Sequence, residues 1–333
     1  MPSGGPSVAV LGASGFAGAL AAALLWRHPA FELAAVTSRT DAGRRLDEIY
    51  PRHRVPLVLE APDVEALGGV DAAIVAYPHA ASAPVVAALR ERGVRVVDLS
   101  ADFRLRDLAV YASFYGDHPE PELIPDAAYG LTELNRERIA AAGLVANPGC
   151  FPTAAILALA PLARAGLIED VVVDAKTGVS GAGRAATETT HFSTVDENVN
   201  AYKVGVHRHT PEIDQELAAL GAEHPVTFVP HMVPLDQGEL VSCYVTATAD
   251  VGGVRELYEA AYADEPFVEV VDTPPGVRDV RETNFCRIST HRDGRTGKVI
   301  VFGAIDNLWK GTSSQAVQNL NLMFGRPEGE GIA

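Results

Sequence analysis

The chain is poor in cysteine, in positive charge and in long apolar runs, and each shortage removes a class of protein. Three cysteines occur in 333 residues, Cys150, Cys243 and Cys286. No pair has the close spacing of a metal site or a redox dithiol, and an odd number argues against a disulfide framework. A reducing compartment is expected, cytoplasm being the simplest, where a nucleophilic thiol survives. Lys and Arg total 27 against 43 Asp and Glu, a formal charge of −16. That field repels phosphate backbones and anionic lipid, so neither nucleic acid nor membrane is an expected partner. A small anionic substrate stays open, because a few Arg residues in a cleft outweigh a diffuse field screened over about 8 Å. Apolar runs such as Ala154 to Leu162 are too short and Ala-rich to cross a bilayer. The N-terminus also lacks a basic segment followed by an apolar stretch, so a soluble, non-secreted protein is expected.

What is present points to two domains, since 333 residues with 47% apolar content exceed one ordinary core. The first half alternates β-branched runs with Ala-rich helical patterns: Ser7 to Leu11, Phe16 to Arg27, Leu33 to Thr37, Ala72 to Ala76, Ala80 to Arg92, Val94 to Leu99. This rhythm is that of βαβ units and a parallel sheet. After about Ala146 longer strand-like runs appear, at Val171 to Thr177, Val226 to Val229, Glu239 to Ala249 and Lys298 to Ile305. They suggest an α+β domain on a mixed, mostly antiparallel sheet. Ser313 to Phe324 has helical spacing and is expected to return to the first domain. The expected division is a Rossmann-type dinucleotide-binding domain of residues 1–149 with 312–333, and a catalytic and oligomerisation domain of residues 150–311. Residues 1–6 and 326–333, rich in Gly, Pro and polar groups, read as frayed tails.

Ser7 to Leu11 runs directly into Gly12, Ala13, Ser14, Gly15, Phe16, Ala17 and Gly18, a G-x-x-G-x-x-G variant of the dinucleotide fingerprint. Glycine permits the tight strand-to-helix turn and the approach of a pyrophosphate to free N–H groups at the helix start. A dinucleotide is therefore expected on Gly12, Ser14, Gly15, Phe16 and Ala17. The second strand ends in Thr37, Ser38, Arg39 and Thr40, with no carboxylate to receive a ribose 2′-hydroxyl. A hydroxyl and a guanidinium suit a 2′-phosphate instead, which favours NADP through Ser38 and Arg39. The bland reading of Arg39 is an ordinary surface residue.

Asn147-Pro148-Gly149-Cys150 forms a turn before an apolar helix beginning near Phe151, with Pro152 in its first turn. A sulfur there faces the positive end of the helix, where a thiolate is stabilised. Cys150 is thus the candidate nucleophile, whereas Cys243 within Leu240 to Val245 and Cys286 within Phe285 to Ile288 read as small buried packing residues. A thiol enzyme commonly needs a positioned acid or base. His28, His53, His118, His224 and His291 lie among polar, Pro or Gly neighbours and read as solvated loop residues. His207 and His209 precede a helix, and alternation puts both on one side of an extended segment, which leaves their order open. No metal is expected.

Over essentially its whole length the chain resembles the N-acetyl-gamma-glutamyl-phosphate reductase family, relatives of aspartate-semialdehyde dehydrogenase. Val145-Ala-Asn-Pro-Gly-Cys-Phe-Pro-Thr-Ala154 followed by Pro161 carries the resemblance. Supporting pieces are Asp98 to Arg104, Tyr129 to Glu133, Gly178 to Arg184, His207 to Ile213 and Asp306 to Gly311. The resemblance implies an NADPH-dependent reduction of an acyl phosphate through a thioester on Cys150, with His209 as acid/base and His207 as the fallback. It implies that Pro78, Ser180, Gly181 and Asn307 approach the nicotinamide half of the cofactor. Ser100, Arg104, Asn147, Arg184 and His207 are the implied substrate contacts, and a homodimer or tetramer is the implied assembly. Two alternatives are carried: the lysine-pathway reductase of an aminoadipyl phosphate, one methylene longer, and a non-catalytic NADP-binding sensor.

Overall fold

Short apolar strands joined by buried helices build the first half of the protein. The computed structural model describes residues 4–249 and 251–333 and divides into two compact units. One comprises the chain up to Pro148 together with Thr312–Ala333, and the other Gly149–Gly311. In the first unit β1 (Ser7–Leu11), β2 (Glu32–Thr37), β3 (Ala72–Val75), β4 (Arg95–Asp98), β5 (Ala127–Tyr129) and β6 (Leu144–Ala146) form a six-stranded sheet in the order β2-β1-β3-β4-β6-β5. Every pairing is parallel, and β3 is buried throughout its length, as expected when helices cover both faces. The strand order reverses at β1, so the turn that follows it occupies the crevice where α/β sheets bind ligands.

The second unit is a seven-stranded mixed sheet of β7 (Ile168–Thr177), β8 (Asn200–Ala201), β9 (Thr227–Met232), β10 (Glu239–Ala247), β11 (Val268–Val270), β12 (Cys286–Arg292) and β13 (Val299–Ile305). Its order is β11-β12-β13-β10-β7-β9-β8. Strand β10 is antiparallel to both β7 and β13, while β7–β9 and β11–β12 are parallel. The α/β class with a mixed, mostly antiparallel second sheet is thus as the sequence predicts. The run around Cys286 is a full strand, β12, which its short apolar segment did not announce.

The helix Cys150–Arg164 is buried from Phe151 to Ala163 and lies on the face of this sheet that carries Val241. At Gly303 a Cβ would meet Val241 Cγ2, the Ala154 carbonyl oxygen and Ala158 Cβ within 3.1–3.3 Å. Pro161 has no N–H to give the Leu157 carbonyl one turn back. The Tyr262 hydroxyl donates to that carbonyl instead, and Tyr258 donates to its neighbour Ala158. The proline is therefore tolerated inside the helix.

Two expectations are corrected. Residues 326–333 are not frayed: Asn321 Nδ2 donates to the carbonyls of Glu328 and Glu330 at 3.1 and 2.9 Å, and Ile332 is buried. Turn-rich composition does not free a tail whose carbonyls meet buried donors. His224 is exposed in a bend as expected, but the other four histidines read as solvated are more internal than their neighbours suggest. His28 is 3% exposed, lies 2.8 Å from the Glu330 carbonyl oxygen, and accepts from the N–H groups of Ala30 and Phe31. Burial lowers its pKa. His53 is buried too, His118 sits 2.6 Å from the Asp102 carbonyl oxygen, and His291 lies within β12.

Candidate active site

In the first unit the glycine loop is shaped by close backbone approach. Gly12 has φ +83°, and a Cβ there would stand 2.5 Å from the Ala76 carbonyl oxygen. At Gly18 it would stand 2.3 Å from the Gly12 carbonyl oxygen, so the helix Phe16–Arg27 rests directly on the turn. Gly15 differs, since a Cβ there would meet only the Gly12 oxygen, at 3.6 Å. The helix has no side-chain cap and no acidic residue in its first turn, which leaves its opening N–H groups suited to an anion. These features fit a dinucleotide pyrophosphate.

The structure turns Ser38 inward. It is 1% exposed, its hydroxyl lies 2.7 Å from that of Ser14, and it accepts from the N–H groups of Thr40 and Asp41. Arg39 is exposed, its guanidinium 5.3 Å from the Tyr77 ring centre, and Pro78 is exposed after β3. Ser100, Arg104 and Asn147 come together as one buried network. Ser100 donates to Asp98 at 2.6 Å, Arg104 Nε donates to the Asn147 carbonyl at 2.7 Å, and Asn147 Nδ2 donates to the Thr312 carbonyl at 3.1 Å. Their visible partners are protein groups. Burial holds the Asp98 carboxyl up at about 6 against the hydrogen bonds of Ser100 and Ser82.

The second unit carries the thiol. Cys150 is the first residue of its helix and is partly exposed, whereas Cys243 and Cys286 are buried, and burial pushes the Cys243 thiol far up. Gly149 caps the helix and donates its N–H to Glu212 Oε1 at 2.9 Å. A Cβ on Gly149 would fall 2.6 Å from His209 Nε2, so the imidazole lies against the residue before Cys150. Gly311 is equally confined, since a Cβ there would lie 2.8 Å from Cys150 Cβ.

His207 and His209, equivalent by alternation, are separated by their surroundings. His207 Nδ1 accepts the backbone N–H of His209 at 3.1 Å. Burial, then the charges of Lys203 and Arg208, depress its pKa to about 4. A neutral imidazole that holds a backbone amide is a structural part. Phe151 packs edge-on to both rings, at 5.6 and 6.0 Å between centres. Ser180, Gly181 and Asn307 are also assembled: Asn307 Nδ2 donates to the Ser180 hydroxyl at 3.0 Å, and Asn307 Oδ1 accepts from Gly238 N–H at 2.8 Å. A Cβ at Gly181 would only touch Thr177 and Asn307, at 3.6 and 3.7 Å. Arg184 is exposed two residues beyond the turn Val179–Ala182.

Sequence reasoning missed Glu212 and Glu239. Glu212 stands in the His207 to Ile213 segment and is 1% exposed. Glu239 shares the inward face of β10 with Val241, Cys243 and Val245, so the strand's period of two carried a signal for a buried acid.

Residues 7–142 match the family model described as semialdehyde dehydrogenase, NAD binding domain, and residues 150–307 the one described as semialdehyde dehydrogenase, dimerisation domain. An N-acetyl-gamma-glutamyl-phosphate reductase of Dehalococcoides mccartyi strain CBDB1 is 47% identical over 331 residues, covering 97% of this chain and 96% of that protein. The chain belongs to the N-acetyl-gamma-glutamyl-phosphate reductase family. Another member, from Alkalilimnicola ehrlichii, is 47% identical over 333 residues, with 98% of this chain and 97% of that protein covered. The fold of the family is shared more widely. Aspartate semialdehyde dehydrogenase II of Vibrio cholerae, complexed with ASA, superposes with a TM-score of 0.74 at 21% identity, covering 97% of this chain and 99% of that one. The Candida albicans aspartate semialdehyde dehydrogenase with NADP gives 0.71 at 16% identity, covering 96% and 99%.

Proposed function

We propose that the protein reduces N-acetyl-L-glutamyl 5-phosphate to N-acetyl-L-glutamate 5-semialdehyde with NADPH, as a step of arginine biosynthesis. The 47% identity, over nearly the full length, to a reductase of that name carries the reading, and the Cys150 helix start with His209 against its cap supplies the chemistry. The His209 imidazole takes the thiol proton and the Cys150 sulfur attacks the γ-carbonyl carbon. The bond to phosphate breaks, leaving a thioester. Backbone N–H groups of the helix start favour the oxyanion. NADPH, when bound, supplies hydride to the thioester carbonyl. The thiohemiacetal then loses the sulfur as thiolate while His209 manages the proton.

The glycine loop at Gly12, Ser14, Gly15, Phe16 and Ala17 holds the pyrophosphate. Arg39 meets the 2′-phosphate from the surface while Ser38 shapes the loop from within. Pro78, Ser180, Gly181 and Asn307 approach the nicotinamide. Residues 1–149 with 312–333 serve the cofactor, and residues 150–311 catalysis and assembly. Arg184 is the exposed cation for a substrate anion; Ser100, Arg104, Asn147 and His207 set the frame of the substrate site. A homo-oligomer, a dimer or tetramer in the cytoplasm, suits the exposed apolar side chains of Phe192, Val199, Val204 and Val206. Among the described residues no helix is long and apolar enough to cross a membrane.

The test is the reverse reaction with phosphate and NADP, comparing N-acetylglutamate semialdehyde with its aminoadipate homologue. A higher kcat/KM for the shorter aldehyde is expected, by roughly 10-fold or more for one methylene. Preference for the longer one overturns the assignment.

A further inference from the structure

Glu239 opens β10, paired with Thr177 of β7 on one side and Ile305 of β13 on the other. It is 0% exposed. The Cys150 thiol and the Thr177 hydroxyl are the side chains that favour its carboxylate by hydrogen bonding, yet neither carboxyl oxygen has an aligned hydrogen bond among the described residues. Burial outweighs both and pushes the carboxyl up to about 8, with the Asp306 charge adding to the rise. Tyr202, His209 and Glu212 are titratable groups around the same thiol: the Tyr202 hydroxyl is raised by burial and by the charges of Cys150 and Glu239, and His209 and Glu212 approach through Gly149. A buried acid costs stability that an apolar side chain of the same shape would not. This one sits beside the nucleophile.

We propose that Glu239 tunes the reaction through Cys150: its protonated carboxyl donates a hydrogen bond to the sulfur once the thiol has lost its own proton. The inference rests on Cys150 being the nucleophile. The thiol proton goes to His209, and the carboxyl keeps its own. The same donor then supports the thiolate as the carbon–sulfur bond of the thiohemiacetal breaks. Glu239 undergoes no net proton transfer, so the cycle balances without a further reactant. Ionising Glu239 removes the donor and sets a second negative charge against the sulfur, which ties the two titrations together.

The pH dependence of iodoacetamide alkylation decides the matter, followed at the Cys150 peptide of the intact protein, with Cys150→Ser as blank. Two groups coupled by more than about one pK unit titrate in two macroscopic steps. The wild type is expected to show two rises separated by more than about one pH unit. Glu239→Gln keeps a donor and loses the ionisation, so a single rise is expected. Glu239→Leu loses both, so its single rise moves to higher pH than in the Gln variant. A first rise in the wild type at or above the pH of the Glu239→Leu rise overturns the proposal, since the protonated carboxyl would then give the thiolate no support. Two rises persisting in Glu239→Gln overturn it as well, assigning the second to a neighbour such as His209. Turnover by Cys150→Ser tests the nucleophile separately: activity surviving there sinks the thioester, while the alkylation profiles still decide on the pair.

Discussion

The glycine loop and the thiol site solve different problems with different materials. The loop of the first unit is backbone fitted to backbone, with Gly12 and Gly18 admitting no side chain and Ser14 and Ser38 locking each other. The thiol site of the second unit is made of titratable side chains whose protonation the fold displaces, with His207 held down at about 4 and Glu239 up at about 8. An anion that keeps its charge needs only fixed donors, whereas a nucleophile that must gain and lose a proton needs neighbours of adjusted acidity.

The sharpest way to break this contrast is a methyl group in the thiol site. Gly149 has φ −68°, which alanine accepts, so Gly149→Ala acts by displacing the His209 ring. A kcat loss of about 10²- to 10⁴-fold is expected, with thermal stability little changed; an unaffected kcat removes His209 from the reaction. The matching substitution in the loop, Gly18→Ala, drives a Cβ into backbone and should cost about 1–3 kcal/mol. It should weaken cofactor binding and leave the alkylation rate of Cys150 alone. A change in that rate would erase the distinction between the two regions.

The pH dependence of stability sharpens the contrast further. Glu239 binds its proton more tightly folded than unfolded, so its contribution is full below about pH 4.5 and is lost as pH rises to about 8. His207 has the opposite sign: its contribution is full above about pH 6.5 and is lost as pH falls to about 4. Each slope is at most about 1.4 kcal/mol per pH unit. Denaturation midpoints should therefore flatten above about pH 5 in Glu239→Gln, by linkage to the lost group. In the first unit Asp98 declines only from about pH 3.8 to about 6, so a midpoint decline persisting unchanged in Glu239→Gln would move the effect away from the thiol site. The smallest expected effect is at the surface: Arg39→Asp should lower the NADP to NAD preference about tenfold, near 1.4 kcal/mol, and an unchanged ratio would exonerate Arg39.

Much of the glycine loop was legible because its partners are local. Gly12 to Gly18 spell the turn, and the switch point follows from the order of βαβ units. The thiol was legible at the helix start, again a local feature. Its surroundings were not, since Glu212, Glu239 and Gly311 reach Cys150 or its cap across 63 to 161 residues of sequence, and the pairing of β10 with β7 and β13 brings Glu239 there. The residues alone leave His207 and His209 equivalent, since both alternate onto one side; they differ in that His207 is buried with its Nδ1 on the His209 backbone amide. The inward turn of Ser38 is a tertiary matter too, set by its contact with Ser14.

The thioester on Cys150 can be trapped in the oxidative half-reaction. Wild-type protein mixed with N-acetylglutamate semialdehyde and NADP, with phosphate withheld, should release a burst of NADPH equal to the concentration of active subunits. An acyl adduct should then be found on the Cys150 peptide by mass spectrometry, since the thioester has no phosphate to receive it. Cys150→Ser should give neither. A wild-type protein that turns over only when phosphate is present, without a burst or an adduct, would rule out the Cys150 thioester.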